Sequence, residues 1–82
     1  MPPLMYPVRL ERAAFMEGFF AFCRDFPGIV THGDDVHDAL HQAAQTLAIH
    51  AFEHELLHGT PPSASLALPG EVLVQVSLET LR

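Results

Sequence analysis

Lysine and tryptophan are absent from this sequence, and cysteine occurs once. The lone Cys23 can form no internal disulfide, so nothing in the thiol content points to an oxidising compartment. With no lysine, four arginines carry all the fixed positive charge against ten acidic residues, a formal net charge of -6. Nucleic-acid binders neutralise phosphates with a basic patch, which four scattered arginines cannot build. Direct DNA binding is therefore not expected. No apolar run approaches the roughly 20 residues that span a bilayer. The opening Met1-Pro2-Pro3-Leu4-Met5-Tyr6-Pro7 has neither the basic start nor the apolar stretch of a signal peptide. The expected location is cytoplasmic.

What is present bounds the answer further. Eighty-two residues allow one small domain, 1–82, and 49% apolar residues supply a core for it. A domain this short buries only about 60–65% of its unfolded surface, so self-association often helps it. Excess negative charge favours a basic protein as partner, because opposite charge speeds and orients encounter. Six histidines make that charge pH-sensitive: protonating all six, near an unperturbed pKa of about 6.5, would cancel it.

Residues 4–12 alternate, with Tyr6, Val8 and Leu10 on one face and Arg9 and Glu11 on the other, which predicts a half-buried strand. Pro7 donates no hydrogen bond and belongs where no ladder partner is needed. A Phe-rich second strand is predicted over 18–24. The connection 13–17 holds no Asn, Asp or Pro, and Phe15 and Met16 at its tip are oddly apolar for a solvated loop. Asp25-Phe26-Pro27-Gly28 is a turn, and 29–32 a short third strand. Asp35 is a good helix N-cap, with Asp38 in the capping-box position. Gly59 and Pro61-Pro62 end the helix after about 24 residues. After a Pro/Ser/Ala linker at 61–69, alternation of Val72, Val74, Val76 and Leu78 marks the last strand. The order β-β-β-α-β predicts an α+β fold, a single helix on a four-stranded mixed sheet. The last strand would return parallel to an earlier one by a right-handed crossover.

Val36, Ala39, Leu40, Ala43, Leu47 and Ala51 form one helical stripe, expected to pack on the sheet. Ile49, Phe52 and Leu56 form a second stripe on roughly the opposite face. The apolar face thus changes sides midway, so the late stripe is the candidate for self-association with another copy of the chain. A bent helix, or a linker residue covering Phe52, is the plainer alternative.

His54-Glu55-Leu56-Leu57-His58 matches the zinc-protease pattern, two His one turn apart with a Glu to activate water. With six His and six Glu such a match arises by accident at roughly a few per cent. It also lies in the last turn before Gly59, which leaves little wall for a substrate cleft. His54 and His58 therefore stand as weak metal candidates, with His50 one turn earlier and the pair His37 and His41 as further chelating spacings. A two-metal nuclease needs clustered carboxylates, but Asp25, Asp34, Asp35 and Asp38 fall at turns and the cap. Cys23 reads as strand packing. No catalytic residue and no cofactor are expected.

Several of these pieces together resemble the HicB family of antitoxins. The resemblance runs through Met5-Tyr6-Pro7-Val8, Gly18-Phe19-Phe20-Ala21 and Asp25-Phe26-Pro27-Gly28. It continues in Gly33-Asp34-Asp35-Val36 with Asp38-Ala39-Leu40, then Gly59 and Pro61, covering nearly the whole chain. It implies a partial ribonuclease-H-like fold without ribonuclease activity, which binds and blocks a small basic mRNA-cleaving toxin of the HicA type. Phe15, Met16, Asp34, Asp35 and Asp38 are then the candidate partner contacts. Many relatives carry a further C-terminal DNA-binding domain, whereas this sequence stops at Arg82 and none is expected. Residues 13–17, Arg24 and Ile29 also depart from the family pattern, which bears on the partner rather than the fold. The alternative is a stand-alone homo-oligomeric HicB-like protein of unknown partner.

Overall fold

A computed structural model describes residues 4–81. Its elements are β1 (Leu4–Arg12), β2 (Phe19–Phe22), β3 (Val30–Gly33), the helix α1 (Val36–His58) and β4 (Glu71–Val76), closed by a 3-10 turn at Glu79–Leu81. The helix ends are where capping chemistry puts them. The Asp35 carboxylate accepts from the Asp38 N–H at 2.7 Å, and Gly59 adopts a left-handed φ of 86° while its N–H donates to the Glu55 carbonyl. The reciprocal half of the cap is shifted by one residue, with Asp38 accepting from the Asp34 N–H at 2.8 Å.

The sheet order is β3-β2-β1-β4, and every pairing is antiparallel. The β-β-β-α-β order holds, but the mixed sheet expected from the sequence is corrected to an antiparallel one. The cause is the linker. A 23-residue helix is about 34 Å long, and the segment 60–70 can recross about 36 Å when extended. β4 therefore starts beside Arg9, finishes beside Leu4, and runs toward the end where α1 stops. Four contacts hold the returning linker. The Tyr6 hydroxyl donates to the Pro62 carbonyl, Ser65 donates to the Asp25 carboxylate, Arg24 donates to the Leu66 carbonyl, and the Leu68 N–H donates to Glu71.

The Ala13 N–H donates to the Gly18 carbonyl at 3.0 Å, directly opposite it in the β1–β2 register. Odd-numbered residues of β1 thus aim their backbone groups at β2, and even-numbered ones at β4. Pro7 is odd-numbered and lies beyond the last β1–β2 pair, Arg9 with Phe22. Its missing N–H breaks no ladder bond. β2 is shorter than expected because Gly18, at φ 100°, belongs to the hairpin and Cys23 already enters the next turn.

α1 covers one sheet face. Tyr6 and Val8 are fully buried against Leu47, Ala51 and Val74, and Phe26 meets Tyr6 edge-on with centroids 4.8 Å apart. The helix presents mainly alanines, which lets its backbone sit close to the sheet. A Cβ on Gly33 would lie 2.1 Å from the Ala39 nitrogen. Val36, placed on the packing stripe by periodicity, is exposed because it sits in the first turn, beyond the end of β3. The other sheet face is only partly open: Pro7, on that face by alternation, is fully buried, while Arg9 and Glu11 further along β1 are exposed. It shows Phe20 against His32, and Arg9 over Phe22 at 4.5 Å.

Candidate functional site

The five candidate partner contacts lie at one end of the domain. Phe15 and Met16 form the exposed tip of the β1–β2 hairpin. Gly18, at the base of that hairpin, packs so closely on β3 that a Cβ there would meet the Gly33 carbonyl oxygen at 2.2 Å. His32 Nε2 lies 2.9 Å from the Glu17 carbonyl, tying the same hairpin to the next strand. Asp34 and Asp35 follow Gly33 directly. The tip and the acidic helix start are thus held together by backbone contacts at Gly18 and Gly33.

Two of the three aspartates also work for the fold. Asp35 and Asp38 cap the helix, and the Asp34 N–H, then the Gln42 amide, hold the Asp38 carboxyl below its ordinary range. The Asp34 side chain makes no contact of this kind and is exposed. With Glu17 beside the tip, this end carries four carboxylates around two exposed apolar side chains. An exposed apolar pair beside an excess of acid, four carboxylates against the one guanidinium of Arg12 at the hairpin base, fits a partner with a basic surface and an apolar pocket.

The three self-association candidates fall in one row along α1, at i, i+3 and i+7. Ile49 and Leu56 are exposed in that row, and Phe52 is half-buried at the edge of the core. Beside Ile49 an open groove of about 550 Å³ runs between the helix flank and the end of β4. The sequence did not reveal this groove, because it depends on β4 being an edge strand.

The His54 and His58 rings lie in contact, tilted by 43° with centroids 4.4 Å apart, and His54 Nδ1–H donates to the Thr60 carbonyl at 2.7 Å. His50 Nδ1 lies 3.9 Å from a Glu53 carboxylate oxygen. Among the described residues no group of three or more His, Cys, Asp or Glu side chains is placed to hold a metal ion. Cys23 is buried, and that burial pushes its thiol pKa up, away from the thiolate form.

Residues 5–81 match the family model HicB-like_2, described as the HicB_like antitoxin of bacterial toxin-antitoxin systems. The chain belongs to that antitoxin family. Comparison with curated proteins gives no match. Several residues that carry the HicB-like resemblance have structural work in this fold. Asp25 anchors the linker through Ser65, Phe26 packs on Tyr6, and Pro27-Gly28 form a tight turn closed by the Ile29 N–H on the Phe26 carbonyl. Gly33 lets the helix start touch the sheet. These HicB-like motif residues therefore do structural work, while Phe15 and Met16 at the hairpin tip are exposed and lie outside the core cluster. Among the described residues, no helix is long and apolar enough to cross a membrane.

Proposed function

We propose that this HicB-like chain acts in the cytoplasm by binding, not by catalysis. Its target is a small basic mRNA-cleaving toxin of the HicA type, which it blocks by covering the toxin's RNA-binding surface. Family membership supports an antitoxin role. The observation that carries the contact assignment is the gathering of Phe15, Met16, Asp34, Asp35 and Asp38 at one end of a chain with net charge -6. A toxin that grips RNA must expose cationic side chains. The carboxylates would pair with those cations while Phe15 and Met16 fill an apolar recess.

Co-expression with the product of a neighbouring gene encoding a short basic protein tests the reading. Rescue of growth and co-purification of the two chains are expected. Normal growth when the basic protein is expressed alone, or a toxic one that does not co-purify with this chain, refutes it.

A further inference from the structure

The outer edge of β4, with which no strand pairs among the described residues, carries an inference that is independent of toxin binding. Even-numbered residues of β1 aim at β4, so Val72, Val74 and Val76 are the β4 residues that bond to it. The N–H and C=O groups of Leu73 and Gln75 therefore point away from the sheet, along its open edge. Natural edge strands are blunted by lysine, proline, bulges or inward charges. This strand has none of them: its one charged residue, Glu71, is neutralised by Arg24 at 3.1 Å, and the register runs unbroken over six pairs. Val72 and Leu73 are both substantially exposed.

The groove beside this edge is lined by His41, Ala48, Ile49, Gln75, Thr80 and Leu81 among others; His41 is its one titratable side chain, and no carboxylate is among the described lining residues. In a chain of net charge -6 this carboxylate-free strip is where two copies can approach without acid facing acid. A basic partner, in contrast, would be drawn to the acidic hairpin end.

We propose that β4 pairs antiparallel with β4 of a second copy, joining two four-stranded sheets into one of eight. The backbone parity restricts the register. Odd-numbered residues must face odd-numbered ones, so Leu73 lies opposite the partner's Leu73 or the partner's Gln75, never the partner's Val74. The two-fold axis is then perpendicular to the sheet, which puts both helices on one face. Each groove is closed by the other copy's helix flank, with Ile49 and Leu81 beside the seam.

Parity also supplies the test. Leu73→Pro removes an N–H that the domain's own sheet does not use, so it blocks the joint and spares the fold; Ile49→Glu introduces charge at the seam from the helix side. Sedimentation over a concentration series, with residue-resolved amide exchange, reads the result. The expected outcome is a dimer with slow exchange at Leu73 and Gln75, and dissociation constants raised at least about 30-fold in both variants. If Leu73→Pro fails to fold by circular dichroism, Ile49→Glu and the exchange data decide. A monomer at about 100 μM, or a dimer in which the Leu73 and Gln75 amides exchange freely, overturns the proposal. So does an edge protected only when a basic partner is added. Toxin binding by a monomeric Leu73→Pro chain would leave the proposed function standing, so the two readings fail separately.

Discussion

The Tyr6 hydroxyl donates a 2.7 Å hydrogen bond to the Pro62 carbonyl, joining the first strand to the linker across 56 residues of sequence. The ring is fully buried, and desolvation, with smaller contributions from the charges of Asp25 and Cys23, raises its pKa to about 12. A group whose folded pKa lies above its unfolded value stabilises the fold fully below the unfolded value. That contribution falls away as pH rises from 10 toward 12. Tyr6→Phe is expected to cost about 1 kcal/mol at neutral pH and to flatten the alkaline limb of the stability curve. Urea midpoints at pH 7, 10 and 11.5 check both effects, and a limb as steep in the variant as in the parent would exclude Tyr6 as its source.

Gly33 and Gly28 separate two reasons for glycine. At Gly33 a Cβ would strike the backbone of Ala39 and Asp38, at the first turn of α1, where nothing can move without lifting the helix. At Gly28 there is open space, and only the φ of 89° opposes a side chain. Gly33→Ala is expected to cost about 3 kcal/mol or more, and Gly28→Ala about 1–2 kcal/mol. Thermal unfolding of the two variants ranks them; equal losses would place the Gly33 contact in doubt.

How much of this was legible follows from where each signal resides. The caps at Asp35 and Gly59 are local chemistry, and the structure puts the helix within one residue of its expected start. The alternation in β4 is likewise local: Val74 and Val76 are buried as expected, while Val72 at the strand's start is exposed and the strand ends before Leu78. The direction of β4 was not legible, because it is set by a Pro/Ser/Ala segment with no periodicity, held through contacts at Tyr6, Asp25 and Arg24 that lie far off in sequence. Phe52 shows a limit of a different kind: it sits at the boundary of the helical stripe, and spacing alone cannot say whether a boundary residue packs. The apolar hairpin tip was visible as an anomaly, but its nearness to Asp34 appears only once β2 and β3 pair.

At the helix start, the fold and the proposed contact use overlapping residues and need separate variants. Asp35→Ala removes the cap and is expected to cost about 1 kcal/mol, within a range of 0.5–2. Asp38 is held below its ordinary pKa, so its stabilisation is complete above the usual carboxylate value of 3.8 and is lost as pH falls below it. Asp38→Asn should therefore soften the acid limb, measured by thermal unfolding between pH 2 and 5. An unchanged limb would mean that the Asp34 N–H contact does not persist in solution.

The hairpin tip provides the cleanest separation of stability from binding. Phe15 is fully exposed and Met16 largely so, and neither belongs to the core cluster. Replacing both by alanine removes little buried area and none from the core, so the melting temperature should stay within the change produced by about 0.5 kcal/mol. If these side chains fill a recess on a basic toxin, the same double variant should weaken that complex by ten- to a hundredfold, since central apolar anchors carry much of an interface's energy. Asp34→Lys, which spares the cap, should slow association and steepen its loss as partner charges repel. Surface binding kinetics at two salt concentrations distinguish the contributions: the alanine pair should act on dissociation and be insensitive to salt, and the charge reversal should act on association and fade as salt rises. A double alanine variant that still protects growing cells and binds at parental affinity would move the contact away from this end, to the sheet face opposite α1 at Phe20, Phe22 and Arg9.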